Sequence, residues 1–365
     1  MRAAVLREYG KPLVVEDVEI DAPKENEVLV RIAASGICHS DYSVAHGVLR
    51  TPFPCVLGHE GAGVIEEVGP GVVDLSPGDH VIAALTPSCG TCPMCVEGSE
   101  SLCMQTVQTM GRGLMVDGTN RLHQGSVPVH QLCGIASFAE RAVIPAGAAI
   151  RVPLDVPLET VCLIGCGVMT GVGAAINTAA IKPETSVAVL GCGGVGLSII
   201  QGARIAGAST IIAVDLVKEK RELAQSLGAT HALDPRAGDL ARAVRAIAPM
   251  GVHYAFEAIG RTDTIEQMWS LLRPNGSAIL VGMPSVRDEI KLGVGGFFAQ
   301  RSIKGSAYGS ARPKRDIPKL VDLYRSGELQ LDPMITSRIG LEDINVAFEA
   351  MSRGEGARSV IVFDA

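Results

Sequence analysis

The chain has 365 residues, 47% of them hydrophobic and 19% charged, which exceeds one ordinary core and suits a two-domain soluble globular protein rather than a disordered chain. A formal net charge of −7 removes any electrostatic reason to bind nucleic acid or an anionic membrane surface. The opening MRAAVLREYGKPL has no long apolar run and does not read as a signal peptide. With ten cysteines besides, the expected compartment is reducing and cytoplasmic, and the thiols are expected as metal ligands or buried residues rather than disulfides.

In chain order, the first 150 residues are broken by Pro and Gly. Their short alternating runs, Glu27-Val-Leu-Val-Arg-Ile32 and Gly63-Val-Ile-Glu-Glu-Val68, predict twisted antiparallel β structure. Next come Cys89, Cys92, Cys95 and Cys103, spaced Cys-x2-Cys-x2-Cys-x7-Cys in a turn-rich loop. Four thiolates at that spacing match a closed tetrahedral zinc site, with no position left for water or substrate. An iron–sulfur cluster also takes four thiolates, but the bacterial ferredoxin spacing differs. The apolar stretch 160–181 is long enough to register as a membrane span; its Gly, Thr, Cys and Asn content favours a buried soluble segment.

A domain boundary is predicted near Gly167, and the next motif carries the chemistry. Ser186–Leu190 reads as a buried strand running into Gly191-Cys-Gly193-Gly194-Val195-Gly196, followed by a helix that closes at Gly207. Glycines in that order permit a tight turn and close backbone approach, so that a pyrophosphate sits on the helix N-terminus. The strand 210–214 ends at Asp215, nineteen residues past Gly196, where a carboxylate accepts from the ribose hydroxyls and repels a 2′-phosphate, favouring NAD over NADP. Helices over 218–227 and 237–248 and strands over 252–257 and 277–282, the latter after an Arg273-Pro-Asn-Gly276 turn, continue the alternation. Repeated βα units of this kind predict an α/β, doubly wound parallel sheet. Six strands complete such a sheet, so the chain beyond about 307 is expected to return to the first domain.

Together these residues resemble the zinc-dependent medium-chain alcohol dehydrogenases over essentially the full length. The resemblance is carried by Gly36-Ile-Cys38-His39-Ser40-Asp41, Gly58-His59-Glu60-Gly-Ala-Gly63, the four-cysteine loop, Gly165-Cys166-Gly-Val-Met-Thr170-Gly and the 191–196 fingerprint. Residues 110–121 and Gly134-Ile-Ala-Ser-Phe138 are similar to the extra loop of the liver-type branch. The resemblance implies a mainly antiparallel β, GroES-like catalytic domain over 1–167 with both zinc sites, an NAD-binding Rossmann domain over 168–307, and a return to the catalytic domain over 308–365. It also implies a homodimer.

The same resemblance implies a second zinc on Cys38, His59 and Cys166, with Glu60 close to the metal and Asp41 orienting the imidazole. Two thiolates and one imidazole leave a tetrahedral position open, as a catalytic zinc requires; the bland alternative is two buried thiols and a core histidine. Ser40 corresponds to the hydroxyl that relays the substrate proton. Where many liver-type enzymes have a histidine three residues further on, this chain has Ser43, and His46 lies out of register. For the cofactor, Asp215 and Lys220 match the adenosine-ribose pair, His39 and Arg358 match basic residues near the pyrophosphate, and Thr170 matches a nicotinamide contact.

Leu49, Leu85, Phe138 and Met283 fall where the family lines its alcohol pocket. All four are apolar, so the expected reaction is reversible oxidation of primary aliphatic or aromatic alcohols to aldehydes, with hydride transfer to NAD. The first alternative is the glutathione-dependent formaldehyde dehydrogenase branch, which acts on the S-hydroxymethyl thiol adduct. That branch has an arginine where this chain has Val107, and an acidic insertion near Gly47-Val-Leu-Arg50 that is missing here. A third reading is a catalytically idle nucleotide-binding relative.

Overall fold

The computed structural model describes residues 1–364; of the expected return segment, only 365 lies outside the described residues. The chain divides into two compact units, one formed by Met1–Gly167 together with the chain from Arg312 onward, the other by Val168–Ala311.

The first unit is built on two sheets. One runs in the order Ala149–Arg151, His80–Ala83, Glu60–Val68, Glu27–Gly36, Arg358–Val362, Ile335–Ile339, with Arg141–Pro145 also paired to Glu27–Gly36. The period-two alternation of Glu27–Gly36 buries Val28, Val30 and Ile32 in a core with Ile65, Val81 and Ile144. The second sheet centres on Arg2–Leu6, Cys55–Val56 and Val127–Gln131, and its core takes in Phe138, Ile344 and Phe348. Sheet register decides the site. Gly36 pairs with Glu60, and Val360 pairs with Gly36, so the end of one strand, the start of another and the C-terminal strand meet at one place.

The second unit carries six parallel strands in the order His231–Leu233, Thr210–Val214, Ser186–Leu190, Val252–Glu257, Leu272–Leu280, Ser302–Gly305. Every residue of Ser186–Leu190 is buried, as a strand covered on both faces requires. The order is that of a doubly wound dinucleotide fold, with its switch point beside Ser186–Leu190.

Several predicted bounds shift for local reasons. The helix expected over 237–248 is Leu240–Ile247, because Gly238 has φ +144° and the Asp239 side chain caps the helix by accepting from Arg242 N at 3.0 Å. The turn expected at 273–276 lies inside the strand Leu272–Leu280, absorbed by a register shift opposite Val252 and Tyr254 and a positive φ at Asn275. His231–Leu233 and Ser302–Gly305 have no long apolar run and escape pattern reading; they are the two sheet edges. The stretch 160–181 breaks at Cys166, and no single helix among the described residues is long and apolar enough to cross a membrane.

Candidate metal centres and dinucleotide site

The strand Glu27–Gly36 ends just before Ile37 and Cys38, and Cys38 opens the helix His39–Ala45. His59 immediately precedes the strand Glu60–Val68. Cys166 sits in a non-helical break between the 3-10 turn Cys162–Gly165 and the helix Gly167–Gly173. These three elements gather Cys38, His59, Glu60 and Cys166, with one ligand atom from each lying within 4.8 Å of all the others, fully enclosed. Asp41 fixes the arrangement. Its Oδ1 accepts from His59 Nδ1 and Gly58 N, each at 3.0 Å, and its Oδ2 accepts from Cys38 N at 3.1 Å. The imidazole is thereby locked with Nε2 as its remaining ligand atom.

The electrostatics are those of a cation site. Hydrogen bonding from Cys166 holds the Cys38 thiol well below the ordinary thiol range, against its burial, with His59 and Arg358 adding to the effect. Burial opposes a charged His59, yet Asp41, Cys166 and Cys38 outweigh it and push the imidazole well above its usual range. Burial lifts the Glu60 carboxyl to about 7 against the pull of Arg358. Glu60 Oε1 accepts from Gly167 N at 3.0 Å and meets Arg358 Nη1 at 3.3 Å, while its buried Oε2 has no partner among the described residues. Two thiolates, an imidazole and an orphaned carboxylate oxygen fit zinc in its open, catalytic form.

Two glycines make that pair possible, and sequence reading singled out neither for it. A Cβ on Gly36 would stand 2.3 Å from Glu60 Oε2, and one on Gly167 would stand 1.6 Å from Arg358 Nη2. Arg358, expected at a pyrophosphate, is only 6% exposed and also donates to the Ile37 carbonyl at 3.2 Å. Its observed partner is therefore Glu60. Ser40 is half-buried, and its hydroxyl has no partner among the described residues. His39 is exposed beside Tyr42, on whose other side His46 stacks at 3.9 Å.

The pocket positions do not behave alike. Leu49 and Leu85 are half-buried. Phe138 is 0% exposed and packs over Gly58, where a Cβ would meet its ring at 2.5 Å, so it is core and not lining. Met283 is 66% exposed.

The second cluster comprises Cys89, Cys92, Cys95 and Cys103, whose sulfurs also lie within 4.8 Å of one another. Cys89 Sγ and Cys95 Sγ are 3.9 Å apart, close to the ~3.8 Å edge of a tetrahedron with Zn–S bonds of ~2.3 Å. Backbone N–H groups of Thr91 and Cys92 at the Cys89 sulfur hold that thiol down to about 6. The four thiols fit a closed zinc site.

In the second unit, Gly193 caps the helix Gly194–Ile205, whose first turn carries Gly194, Val195 and Gly196. The three fingerprint glycines have separate reasons. Gly191 needs its φ of +92° and leaves room for Ile259 Cγ1, which a Cβ would approach to 2.6 Å. Gly196 presses on Gly191 O, which a Cβ would reach at 1.7 Å. A Cβ on Gly193 would meet nothing within 4 Å, so the backbone there is bare toward open space, as a cradle for a pyrophosphate requires. Asp215 Oδ2 accepts from Cys192 N at 2.7 Å and Oδ1 from Val217 N at 2.8 Å, which places its carboxylate beside the loop. Lys220 and Thr170 are half-buried on their helices.

Residues 24–154 match the alcohol dehydrogenase GroES-like domain family and residues 194–326 match the zinc-binding dehydrogenase family. The chain is 41% identical to an alcohol dehydrogenase class-3 from Cereibacter sphaeroides and 40% identical to an S-(hydroxymethyl)glutathione dehydrogenase from Paracoccus denitrificans, in both cases over 99% of each chain. Among solved structures it is similar to an alcohol dehydrogenase zinc-binding domain protein from Burkholderia ambifaria, with 38% identity, TM-score 0.96 and coverage of 100% and 99% of the two chains. It is also similar to a benzyl alcohol dehydrogenase from Acinetobacter calcoaceticus, with 34% identity, TM-score 0.95 and the same coverage. These likenesses correct the expected substrate. The full-length relatives at 41% and 40% carry class-3 and thiol-adduct names, and the apolar pocket that argued for simple primary alcohols loses Phe138 to the core.

Proposed function

The chain belongs to the zinc-dependent medium-chain alcohol dehydrogenases, an oxidoreductase family, and on that footing we propose that it oxidises the S-hydroxymethyl adduct of a glutathione-type thiol with NAD. The observation that carries this reading is the end-to-end likeness to class-3 and S-(hydroxymethyl)glutathione dehydrogenases. In the net reaction the carbinol carbon gives up a hydride and the hydroxyl group gives up only its proton, so that the oxygen stays as the carbonyl of the S-formyl thioester and NAD is reduced to NADH.

Cys38, His59 and Cys166 would hold the catalytic zinc, Cys89, Cys92, Cys95 and Cys103 the structural one, and the 191–196 loop with Asp215 and Lys220 would hold NAD. Bound zinc supplies Lewis acidity that lowers the substrate hydroxyl pKa, and bound NAD accepts the hydride. Asp41 keeps His59 in one tautomer through the 3.0 Å contact at Nδ1. Glu60, with an unpartnered Oε2, holds negative charge or a proton behind the ligands, and Arg358 limits its repulsion of the thiolates. Ser40 takes the hydroxyl proton, because a hydroxyl free of protein partners can accept and donate in one step. Val107 is exposed on the helix Met104–Met110 and offers no charge to a carboxylate of the thiol.

The protein acts as a cytoplasmic homodimer in this reading. Ten free thiols, six of them in the two clusters and three of the other four buried, suit a reducing compartment. The edge strand Ser302–Gly305 pairs on one side only, and exposed Phe298 precedes it by four residues in the chain, a surface suited to a second copy.

The deciding assay follows NADH formation by the purified protein with NAD, in wells holding formaldehyde plus glutathione, formaldehyde alone, formaldehyde plus 2-mercaptoethanol, and ethanol or benzyl alcohol. Turnover that requires glutathione is the expected result. Equal or faster turnover of benzyl alcohol without thiol would overturn the reading.

A further inference from the structure

Glu257 is a fully buried acid that the reaction above does not use. It ends the strand Val252–Glu257 in the middle of the parallel sheet, paired with Leu190 on one side and Leu280 on the other. No lysine or arginine forms an ion pair with it among the described residues. Its carboxylate is satisfied by local donors instead. Oε1 accepts from Ile259 N at 3.1 Å, Gly260 N at 2.9 Å, Arg261 N at 3.5 Å and Thr264 Oγ1 at 2.7 Å, and Oε2 accepts from Gly260 N at 3.1 Å. These donors form the entry to the helix Thr262–Leu271, whose N-cap residue, Arg261, makes no side-chain capping bond. A carboxylate there meets the unsatisfied N–H groups and the positive end of the helix.

The turn that Glu257 holds is not free to sit elsewhere. Ala258 N donates to Leu190 O at 2.9 Å, and Ile259 stands where a Cβ on Gly191 would meet it. Behind the turn, Val281 N and Gly282 N both donate to Glu257 O, at 2.9 and 2.8 Å. Gly282 packs so closely that a Cβ would lie 2.2 Å from Gly260 N and 2.7 Å from Glu257 Oε2. The turn 258–261 therefore stands against the fingerprint loop at the carboxyl ends of Ser186–Leu190 and Val252–Glu257, where a doubly wound sheet changes winding direction and opens its ligand crevice. Ile259 is 45% exposed there.

We propose that Glu257 is a positioning residue for the dinucleotide: its carboxylate holds the turn 258–261 against Gly191, setting the wall of the crevice opposite the glycine loop and presenting Ile259 to the ligand. The proposal rests on the reading that a dinucleotide binds at 191–196. Glu257 touches no reacting atom in this role. Its loss weakens dinucleotide binding and leaves the chemical step largely alone.

The test uses the full-length, zinc-loaded protein and its E257Q variant, with NADH binding followed by fluorescence titration and steady-state KM for NAD and kcat measured in parallel. Wild type is titrated first; if it binds no NADH, the dinucleotide reading fails and takes the proposal with it. In E257Q the new amide N–H faces the Gly260 and Ile259 N–H groups. The expected result is a rise of about tenfold in Kd for NADH and KM for NAD, the scale of one lost charge-assisted hydrogen bond, with kcat within about threefold and zinc content unchanged. A folded E257Q with Kd within about twofold of wild type, or with kcat falling and Kd unmoved, overturns the proposal. Should E257Q fail to fold, T264V decides by removing one donor at 2.7 Å with little change of shape. A rise of about threefold in Kd supports the proposal, and an unchanged Kd overturns it.

Discussion

Asp41 directs one carboxylate oxygen to His59 and Gly58 and the other to Cys38 N, so a single side chain sets the orientation of two expected zinc ligands. D41N is expected to weaken zinc at the Cys38–His59–Cys166 cluster by about 10- to 100-fold while leaving the four-cysteine cluster loaded. Metal analysis after dialysis against a graded chelator should show the loss of one zinc per chain at a lower chelator concentration than wild type. A second titratable side chain lies in the second unit, at the amino-terminal end of the strand Val252–Glu257. His253 Nδ1 accepts from Ser186 N at 3.1 Å, and its Nε2 faces Arg273 Nη1. Burial, and then the Arg273 charge, lower its pKa below the ordinary imidazole value. The unfolded chain then binds the proton more readily than the native one, so stability is lost as pH falls through and below about 6.5. Melting temperatures between pH 8 and pH 5 should decline on the acid side, and H253N should flatten that part of the decline attributable to this ring.

At the scale of the element, the fingerprint turn separates packing from binding within six residues. Gly196 is closed by Gly191 O, whereas Gly193 faces open space at a φ of −74° that any residue adopts. G196A should therefore destabilise the second unit by several degrees in melting temperature, since the 1.7 Å approach forces backbone to move. G193A should melt within about a degree of wild type yet raise KM for NAD about tenfold or more, because the added methyl stands where the pyrophosphate approaches. Equal effects of the two substitutions on melting and on KM would contradict this division. The first unit works by a different device. There, sheet register rather than one turn assembles the metal cluster, and Gly36 and Gly167 are small because the Glu60–Arg358 pair lies against both. Breaking that buried pair from one side, as in R358A, leaves a carboxylate without its counter-charge beside two thiols, and costs about 3 to 5 kcal/mol by the usual measure.

At the scale of the molecule, the proposed dimer follows from an edge. Ser302–Gly305 has one unpaired side, and Phe298, at 86% exposed, precedes it by four residues in the chain. Sedimentation should give twice the chain mass for wild type, and F298E should shift the boundary toward the monomer without lowering the melting temperature of either unit. A wild-type monomer at micromolar concentration would contradict the proposal. The features legible in the sequence are those that are local along it. The strand, glycine turn, helix and following acid near 186–215 are contiguous, so their spacing already encodes their geometry, and the parallel sheet follows from the alternation of buried strands with helices. The four-cysteine set is local in the same sense. Other features were decided only by the tertiary structure. Cys38, His59 and Cys166 are drawn together across the chain by the pairing of Gly36 with Glu60 and by a helix break at Cys166, and no spacing rule contains that register. The resemblance gave Arg358 as a basic residue near the pyrophosphate, and only the C-terminal strand, joining Glu27–Gly36, shows it seated against Glu60. The edge strands His231–Leu233 and Ser302–Gly305 are too short and polar to announce themselves, because a strand at an edge need not be apolar on both faces. Phe138 looked like pocket lining because its type fits either place, and only its position over Gly58 shows that it belongs to the core. Local chemistry is written in neighbouring residues; long-range register and burial arise from the balance of many weak contacts, and they exist only once the chain is folded.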